Sequence, residues 1–585
     1  MLDIARSLSG RRWVWRAAED RVGLGIAQRL GLPEILGRLL AARGVGPDAA
    51  ADFLEPTLRA LLPDPSVLVD MDAAAARLAD AARRGETVGV FGDYDVDGAC
   101  SGAVMVSFLR GLGCTVMAHV PDRLAEGYGP NLPALQNLVA RGASLIVCVD
   151  CGTAAGDVLA GLRGSAEVLV LDHHKSEEPP PPVAATVNPN RLDCRSGLGN
   201  LCAAAISFLT TVATVRALRR AGFFANRPEP DLLSLLDLVA LATVCDVMPL
   251  TGLNRALVAQ GLKVMGRRAR PGIAALLDVA QVRDRPSAMT LGYALGPRIN
   301  AAGRISEADL GLRLLLSEDE VEARGLAATL DAVNRQRQQV EQAMLDGALL
   351  AAEAQAGQGH AALLVSGQDW HPGVVGIVAG RIKERFNRPS CVAAVADNVA
   401  KGSGRSVPGL DLGAAVIAAR QAGILTTGGG HAMAAGFSLP AARLADFHAF
   451  LNERLAAAAA LPSAADLSVE GSVAVAGCTL DLAAQIQRLA PFGPGNEEPV
   501  LILPRARVVR ADRVGREANT IRAFVEGEGG AGRLKAMLFR AKEGPLADAL
   551  LARGGPPLHL AGHLRAEEWN GTTTPGFVLA DAAAV

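Results

Sequence analysis

The sequence lacks any apolar run long enough to span a bilayer, although half of its 585 residues are hydrophobic. Its first residues, MLDIARSLSGRRWVWRAAEDR, carry too many charges for a signal peptide. These two absences argue against a membrane partner and predict a cytoplasmic protein. The length exceeds that of one domain, and the apolar content is sufficient for several buried cores.

Cysteine is scarce and irregularly placed. The nine cysteines form no regular framework, and their odd number without an export signal predicts a reducing cytoplasm rather than a disulfide scaffold. Cys148 and Cys151 do form a CxxC pattern. Because Cys148 lies inside the apolar run LIVCV, buried packing is favoured over zinc binding or redox chemistry.

The sequence also lacks an excess of positive charge. A formal net charge of −2 gives no attractive field for a polyanion, so any nucleic acid must be bound by local basic patches. One candidate patch lies in the C-terminal part and consists of Arg505, Arg507, Arg510, Arg513 and Arg516. Alternating arginines on a strand project to one face, which predicts a groove for a phosphate backbone; a solvated edge strand is the alternative.

Apolar runs alternate with alanine-rich helical stretches through the first half of the chain. The runs are Thr87–Phe91, Val116–Val120, Leu145–Val149, Val168–Leu171 and Leu238–Val244. Strands that alternate with helices predict an α/β fold with a parallel sheet.

The remaining chain changes character twice. From 317 to 356, helically spaced apolar residues without proline predict one long connecting helix, followed by a second α/β unit. Short strands and glycine turns towards the C-terminus predict a small β-barrel of the OB type. The predicted divisions are an N-terminal helical segment at 1–69, a catalytic domain at 70–316, the helix at 317–356, a smaller α/β domain at 357–460 and the barrel domain at 461–585.

Acidic and imidazole side chains follow four of the apolar runs. They are Asp93, Asp95 and Asp97, then Asp150, then Asp172, His173 and His174, and finally Asp246. The carboxyl ends of parallel strands meet at one edge of a sheet, so we expect these side chains to share one crevice. A single aspartate could be a helix N-cap, but so many carboxylates in one cleft require cations between them.

The composition of this set indicates the metal. Oxygen ligands with one or two imidazoles and no convincing thiolate suit Mn²⁺ or Mg²⁺ better than Zn²⁺. Two such ions ~3.5–4 Å apart clamp the attacking and leaving oxygens of a phosphoryl displacement. The sequence therefore predicts two-ion hydrolysis of a phosphoester or phosphoanhydride.

Several motifs carry a family resemblance. GDYDVDG, VDCG, LDHHK and TVCDVMPL, in that order, resemble the four motifs of the DHH phosphoesterase superfamily, and GGGHAMAAGF is similar to the signature of its DHHA1 domain. The segments GPRINAAGRI, NRQRQ, DWHPGVVGIVAGRI, GSGRSV and PFGPGNEEPV resemble the superfamily's bacterial exonucleases, which digest single-stranded DNA from the 5′ end. The resemblance covers nearly the whole chain. It implies a parallel-sheet DHH domain joined by a long helix to a smaller α/β DHHA1 domain, with an OB-like barrel at the C-terminus.

The resemblance also implies roles for residues. The implied metal ligands are Asp93, Asp95, Asp97, Asp150, His173 and Asp246. Apart from Asp93, these ligands and His174 are the expected catalytic residues. For Asp172 and His174, the two open roles are orienting the ligands from outside the metal's own shell and contacting the scissile phosphate.

Other motifs are expected to contact DNA. The expected residues are Arg298, Asn300 and Arg304 in GPRINAAGRI, His371 in WHPG, and Gly429, Gly430 and His431 in GGGH. Glycines let backbone N–H groups approach a phosphate, and the small residues of GPRINAAGRI, taken as a loop, let a DNA backbone pass.

Three further residues, Arg123, Ser403 and Arg405, are expected to bind a terminal 5′-phosphate. For Arg123 the alternative is a surface ion pair with a neighbouring acid. Tyr128 and Tyr293 are candidates for base stacking, although packing is the commoner fate of such residues.

We therefore predict an Mn²⁺- or Mg²⁺-dependent exonuclease that degrades single-stranded DNA 5′→3′ to mononucleotides in repair and recombination. A single-strand-binding protein and a helicase are candidate partners. One alternative is a DHH hydrolase of short oligonucleotides or cyclic dinucleotides, against which the chain length argues. The other is a metal-free replication scaffold, against which the complete ligand set argues.

Overall fold

The computed structural model describes residues 2–17, 19–123, 125–127, 129–176, 178–460, 466–552, 554–569 and 571–585. The predicted start of the barrel domain, at 461, lies outside these residues. The strands are β1 (Trp13–Trp15), β2 (Thr87–Gly92), β3 (Thr115–His119), β4 (Leu145–Val149), β5 (Glu167–Leu171), β6 (Ala185–Val187), β7 (Leu363–Gln368), β8 (Ser390–Ala396), β9 (Val399–Arg405), β10 (Thr427–His431), β11 (Ala434–Pro440), β12 (Leu467–Val469), β13 (Gly471–Ser472), β14 (Leu501–Val514), β15 (Thr520–Glu526), β16 (Arg533–Leu538), β17 (Leu558–Trp569) and β18 (Thr572–Ala584).

The α-helices are α1 (Asp20–Leu30), α2 (Glu34–Ala42), α3 (Ala50–Leu54), α4 (Leu58–Leu61), α5 (Met71–Arg84), α6 (Val96–Gly111), α7 (Leu132–Ala140), α8 (Gly156–Ala160), α9 (Ala203–Arg220), α10 (Leu236–Cys245), α11 (Gly252–Met265), α12 (Pro271–Val279), α13 (Gly296–Ile305), α14 (Leu310–Leu316), α15 (Glu320–Gly357), α16 (Val375–Phe386), α17 (Leu412–Gln421), α18 (Leu444–Arg454), α19 (Leu480–Gln487) and α20 (Pro545–Leu551). Helix α15 is the long helix that the sequence predicts. None of the described helices is both long and apolar enough to cross a membrane.

The chain divides into two compact units. The parallel-sheet unit comprises Ala51–Arg335 and Leu489–Glu498, and the mixed-sheet unit comprises Met1–Ala50, Gln336–Arg488 and Pro499–Val585.

The parallel-sheet unit is built on five parallel strands in the order β3-β2-β4-β5-β6. Its central strands are buried on both faces, because one apolar cluster contains Val88 and Val90 while another contains Phe91 and Cys148. Cys148 and Cys151 are free and buried, so the prediction that this CxxC is packing is confirmed. Helix-covered sheets of this kind leave the carboxyl edge as the place where polar side chains collect.

One predicted strand is wrong. Residues 238–244 lie within α10, so Asp246 follows a helix rather than a strand. A short apolar run does not distinguish a buried strand from a buried helix, and leucine and alanine prefer the helix. Residues 236–243 are all buried, so α10 has no polar face that would have revealed its period.

The mixed-sheet unit contains two larger sheets. The first has the order β10-β11-β9-β8-β7, in which β7 and β8 are parallel and the other pairs are antiparallel. The second has the order β13-β14-β15-β16-β18-β17, and β14 also pairs with β17, which closes the strands into a barrel. The predicted smaller α/β domain is therefore confirmed, and the second sheet has the closed strand order expected of an OB-like barrel.

The N-terminal segment is not purely helical, as the sequence had suggested. Strand β1 pairs in parallel with β12, and Trp13 is buried with its Nε1–H donating to Asp581 Oδ2 at 2.9 Å. A three-residue strand between charged residues carries too little periodicity to be predicted. Its stability comes from the distant partner strand.

Candidate active site

The predicted acidic cluster forms at the carboxyl edge of the parallel sheet. His173 Nε2 lies 3.3 Å from Asp150 Oδ1, 3.5 Å from Asp246 Oδ2 and 3.8 Å from Asp97 Oδ2. The ends of β2, β4 and β5 supply most of this cluster, and the C-terminus of α10 supplies Asp246. The shared edge thus brings together residues as far apart in the sequence as Asp93 and Asp246, which are 153 positions apart.

Three groups of side chains in this cluster could each hold an ion. The groups are Asp93 with Asp95 and Asp150, Asp97 with His173 and Asp246, and Asp150 with His173 and His174. Within each group the potential ligand atoms all lie within 4.8 Å of one another. Because Asp150 and His173 each belong to two groups, the arrangement suits adjacent ions that share ligands.

The cluster has buried acceptors that the chain does not satisfy. Asp93 Oδ1, Asp150 Oδ1 and Asp246 Oδ2 are buried and have no hydrogen-bond partner among the described residues. A buried carboxylate oxygen without a partner is costly, and a cation removes that cost. Carboxylate oxygens with imidazole nitrogens are the donor set that suits Mn²⁺ or Mg²⁺, so these residues fit the predicted metals.

The electrostatics of the cluster agree with this fit. Burial, followed by the charge of Asp95, raises the pKa of Asp93 to about 8. Burial and the charges of Asp97 and Asp95 raise the pKa of Asp246 to about 8. Burial and neighbouring acids also raise the pKa of Asp150 well above its ordinary value. The protein by itself therefore disfavours the charged forms that a divalent cation would stabilise.

Two of the aspartates are held by helix N-termini. Asp95 is the N-cap of α6 and accepts a hydrogen bond from the Gly98 N–H at 3.0 Å. Asp97 accepts from the N–H groups of Ala203 at 2.7 Å and Ala204 at 2.8 Å, at the start of α9. The N-cap alternative is thus correct for Asp95, and the same bond fixes its carboxylate beside the other acids.

Asp172 differs from the other acids because its donors come from the protein. Its Oδ1 accepts from the His174 Nδ1 at 2.8 Å and from two backbone N–H groups, and its Oδ2 accepts from the Thr153 N–H. Burial raises the pKa of Asp172, but the hydrogen bond and charge of His174 outweigh it and hold that pKa below the ordinary value. Burial lowers the pKa of His174, and Asp172 reverses this and raises it to about 9. His174 is therefore a cation near neutral pH.

Sequence reasoning missed the residues that hold the DHH tripeptide. Asn188 Nδ2 donates to Thr153 Oγ1 and to the His174 carbonyl, both at 2.9 Å. Asn190 Nδ2 donates to the His173 carbonyl at 2.6 Å. The available signal was the turn-forming text NPN directly after the apolar β6.

The segment GPRINAAGRI is helix α13 and not the predicted loop. Arg298 is held by Asp331 at 2.9 Å and by the Ala294 carbonyl at 2.6 Å, and Asn300 Oδ1 accepts from the Val96 N–H at 3.1 Å. Both side chains therefore support the fold around the first acidic motif, and their contact with DNA stays a prediction. Arg304 lies near enough for its charge to lower the pKa of the Tyr94 phenol, although burial, the larger effect, raises that pKa to about 12.

The small residues of α13 have a packing explanation. A Cβ at Gly303 would meet the Tyr94 carbonyl oxygen at 2.6 Å, so glycine is needed where α13 crosses the first acidic motif. The helix continues a π-helix at Thr290–Leu295, a rare element that often marks functional sites.

Two aromatic residues of the parallel-sheet unit differ in exposure. Tyr94 packs beneath Arg123, whose guanidinium carbon lies 5.3 Å from the ring centre. Arg123 is exposed, and its charge lowers the pKa of Asp93 against the larger effect of burial. Tyr293, in the π-helix, is 81% exposed, so it is not a packing residue. Tyr128 lies outside the described residues.

In the mixed-sheet unit, Ser403 and Arg405 lie together on β9. Arg405 Nη1 donates to Ser403 Oγ at 2.8 Å. A Cβ at Gly376 would lie 3.0 Å from Arg405 Nη2 and 3.1 Å from Ser403 Oγ, which places both side chains beside the N-terminus of α16. A guanidinium, a hydroxyl and a helix N-terminus form a suitable anion site.

The GGGH motif and His371 also belong to this unit. Gly429, Gly430 and His431 are in the edge strand β10, where Gly430 has a φ of 148° that requires glycine. His431 is exposed, with its Nδ1 accepting from the Met433 N–H at 3.3 Å. His371 Nδ1 accepts from the Gly373 N–H at 3.1 Å just before α16, and burial lowers its pKa.

The arginines of the barrel do not all share one face. In the register of β14 with β15, Arg507 lies opposite Glu526 and Arg510 lies opposite Phe524. A bulge at position 509 keeps the two arginines on the same side of the sheet. Arg513 faces Ile521, which is buried, and its Nη1 donates to the Ala518 and Ala541 carbonyls. The predicted five-arginine stripe is therefore wrong, because Arg513 follows Arg510 by three residues in regular register and lies on the opposite face of β14.

Three protein-family models match this chain. The DHH family N-terminal domain matches residues 87–243, the DHHA1 domain residues 357–457 and the RecJ OB domain residues 469–581. The fold and the acidic site thus define a phosphoesterase of the DHH/DHHA1 class with an added OB domain.

Relatives specify the family further. The single-stranded-DNA-specific exonuclease RecJ of Salmonella typhimurium is 38% identical over 524 residues, which are 87% of this chain and 89% of the relative. The structure of Thermus thermophilus RecJ in complex with Mn²⁺ matches with a TM-score of 0.79 and 29% identity, over 97% of this chain and 79% of that one. The Mg²⁺ complex matches with a TM-score of 0.74 and 28% identity, over 98% and 79%. The chain belongs to the RecJ family.

Proposed function

We propose that this protein is an Mn²⁺- or Mg²⁺-dependent exonuclease that degrades single-stranded DNA 5′→3′ to mononucleotides in repair and recombination. The observation that carries this proposal is the cluster of buried carboxylate oxygens without partners among the described residues, in a chain of the RecJ family. The complete ligand set argues against a metal-free scaffold. The additional OB domain argues against a hydrolase of short oligonucleotides.

We assign the metal ligands to the cluster as follows. Two ions would be held by Asp93, Asp95, Asp97, Asp150, His173 and Asp246. When bound, they supply the charge that stabilises the phosphoryl transition state. Asp172 orients the tripeptide, and the His174 imidazolium donates to an oxygen of the scissile phosphate.

The division of labour follows the predicted domains. Residues 70–316 hydrolyse the phosphodiester, 357–460 bind phosphate, and 461–585, apart from Leu489–Glu498 of the parallel-sheet unit, bind single-stranded DNA. Substrate phosphate is bound by Arg123, which lies over the Tyr94 ring, and by Ser403 with Arg405 beside α16. The latter pair selects a 5′-terminal phosphate. Arg304, His371 and the Gly429–His431 strand are further DNA contacts. Exposed Tyr293 stacks on a base.

We infer that the protein acts in the cytoplasm, with a single-strand-binding protein and a helicase as partners. The absence of a membrane-spanning helix among the described helices and the free cysteines agree with this location.

The decisive experiment uses single strands labelled at either the 5′ or the 3′ end, incubated with Mn²⁺, with Mg²⁺ or with EDTA. We expect the 5′ label to be released first as a mononucleotide, in both metals and not in EDTA. A duplex of the same sequence, blunt at both ends, is the matched control and should be spared. Release of the 3′ label first, or equal digestion of the duplex, would contradict the proposal.

A further inference from the structure

The end of α10 has an unfavourable backbone conformation next to a proposed metal ligand. Asp246 is the C-cap, and Val247 follows with a φ of 59°. The Val247 N–H donates to the Val244 carbonyl at 3.2 Å and the Met248 N–H to the Thr243 carbonyl at 3.1 Å, which is the Schellman pattern. Glycine usually occupies the left-handed position of this motif, whereas a β-branched residue there is strained.

Strain of this kind persists only where neighbouring structure enforces it. Val247 is 65% exposed, so its own side chain has little packing to enforce the conformation. The α10 side of the turn is held by the two Schellman hydrogen bonds. The other side of the turn is held by the segment Leu489–Glu498, which we call the strap. The strap is distant in sequence but belongs to the parallel-sheet unit.

The strap binds the residues that follow Val247. The Leu250 N–H donates to the Pro494 carbonyl at 2.7 Å, and Leu250 is fully buried. A Cβ at Gly493 would lie 2.7 Å from Leu250 Cδ1, so the strap approaches this closely only with glycine at 493. The turn is therefore fixed on both sides of Val247.

Arg255 anchors the strap from the first turns of α11. Its side chain is almost completely buried; Nη2 donates to the Ala490 carbonyl at 2.7 Å and Nη1 to the Pro491 carbonyl at 3.4 Å. Its Nε donates to the Phe53 carbonyl at 2.8 Å, and its guanidinium carbon lies 4.0 Å from the centre of the Phe53 ring. Within the strap, Asn496 Nδ2 closes the turn by donating to the Leu489 and Pro491 carbonyls at 2.8 Å.

We propose that the strap, anchored by Arg255, keeps Val247 in the left-handed conformation and thereby positions Asp246 for metal binding. Arg255 is a positioning residue, because it reaches Asp246 only through the strap and the turn. This role rests on the proposed function of Asp246 as a metal ligand. It gives the PFGPGN segment a function in the metal centre, although this segment follows Asp246 by more than 240 residues in the sequence.

The test measures Mn²⁺ binding directly, by the electron paramagnetic resonance signal of free Mn²⁺ in titrations of metal-free full-length protein. Arg255→Met keeps the volume but removes the donors, and we expect it to weaken Mn²⁺ binding about tenfold, as loss of groups that orient ligands does. Val247→Gly alone should leave the affinity unchanged and raise the melting temperature. In the double variant, Val247→Gly should restore most of the lost affinity, because glycine adopts the left-handed conformation without the strap.

A matched control separates positioning from general loss of stability. Arg77→Met removes another largely buried arginine from the same unit, whose partners are Glu86 and Glu167, and should lower the melting temperature without changing Mn²⁺ affinity. Should Arg255→Met fail to fold, Gly493→Ala displaces the strap from Leu250 while keeping Arg255, and the same rescue by Val247→Gly is expected. Wild-type Mn²⁺ affinity in Arg255→Met, or no rescue by Val247→Gly, would overturn the inference. Absence of Mn²⁺ binding by the wild type would instead contradict the proposed function.

Discussion

The two edges of the parallel sheet treat negative charge in opposite ways. At the amino edge, Arg77 pairs with Glu86 at 2.7 Å and with Glu167 at 2.5 Å, and Ser144 Oγ donates to Glu86 at 2.8 Å. Burial raises the pKa of Glu86, but these partners outweigh it and the pKa lies below its ordinary value. At the carboxyl edge, the ion-pair partners of Asp150 and Asp246 among the described residues are histidines, and the pKa values are raised.

This difference separates structural from functional acids within one sheet. The amino edge is compensated by the chain itself, so its acids stabilise the folded protein. The carboxyl edge is left for a cation to compensate, so its acids cost stability until the metal binds. Asp172 supports this explanation although it lies at the carboxyl edge. The protein supplies its hydrogen-bond donors, and its pKa is lowered.

The largest expected effect comes from removing charge at the carboxyl edge. Asp150 has a φ of 61°, which asparagine tolerates, so Asp150→Asn changes the charge with little backbone cost. We expect hydrolysis of single-stranded DNA to fall by ~10³-fold or more, since a metal ligand contributes several kcal/mol to the transition state. The melting temperature in EDTA should stay equal or rise, because like-charge repulsion is removed.

Arg77→Met is the control for this prediction at the other edge. It should lower the melting temperature and leave turnover per folded molecule unchanged. Turnover of Asp150→Asn close to the wild-type value in excess Mn²⁺ would mean that this carboxylate is not a metal ligand.

The next expected effect concerns pH and metal removal. The pKa values of Asp93 and Asp246 are raised to about 8, above the ordinary value of 3.8. The folded metal-free protein therefore binds more protons than the unfolded chain between these values, and its stability falls as pH rises. The slope should be about 1 kcal/mol per pH unit for each carboxylate. Unfolding in urea with EDTA, from pH 5 to 8, measures it.

The window from pH 5 to 6.5 isolates the carboxylates. The pKa of His174 is raised from 6.5 to about 9, so its stabilisation is complete below 6.5 and is lost only above it. The pKa of Asp172 is lowered, and its contribution is constant throughout this window. Asp93→Asn with Asp246→Asn should reduce the slope without abolishing it, because the pKa of Asp150 is raised as well, and Mn²⁺ should raise stability most at pH 8. A stability of metal-free protein that is independent of pH in this window would contradict uncompensated charge at the carboxyl edge.

Much of this contrast could be predicted from the sequence, for one physical reason. The carboxyl ends of neighbouring parallel strands lie at the same edge of a sheet. The acids that follow β2, β4 and β5 are therefore expected to lie close together, whatever the fold of the remaining chain. The place of Asp246 was also predicted, although its element was wrong. A fully buried helix and a buried strand have equally apolar sequences, so the two could not be distinguished. The residue after either element can still lie at the same edge of the sheet.

Other features depend on contacts that no local pattern contains. The ion pair of Arg298 with Asp331, 33 residues later, is one such contact. On β14, only the pairing with β15 shows that Arg507 and Arg510 share one face while Arg513 lies on the other. The strap could be recognised as a motif, but its hydrogen bond with Leu250 joins two segments that are far apart in the sequence. Sequence patterns predict elements well, whereas the partner of a charged side chain is decided by packing.

A smaller effect is expected at β9, where the side chain of Arg405, and not a metal ion, is proposed to bind phosphate. Arg405→Ala should remove most of the preference for 5′-phosphorylated over 5′-hydroxyl strands, a loss of about 1.5–3 kcal/mol for a charge-assisted hydrogen bond. Arg405→Lys should recover only part of it, because lysine keeps the charge but lacks the planar fork. Competition between the two labelled substrates measures the preference.

Arg443→Ala is the control in the same unit, since Arg443 forms only an exposed ion pair with Asp446 in the described part of the chain. It should leave the preference unchanged. An undiminished preference in Arg405→Ala would place the terminal-phosphate site elsewhere.

The smallest expected effect tests the barrel, where positive charge is exposed rather than clustered with acids. Arg507→Ala and Arg510→Ala should each reduce the salt dependence of binding to long single strands by a slope of about one, because each lost phosphate contact releases one counterion fewer. Arg513→Ala should change it less, since its guanidinium donates to the Ala518 and Ala541 carbonyls on the other face. Substitutions are preferable to truncation after 461, because β1 would lose its partner strand β12. Fluorescence anisotropy across a salt series gives the slopes. Equal slopes for all three variants would mean that the face of β14 on which an arginine lies does not decide whether it binds DNA.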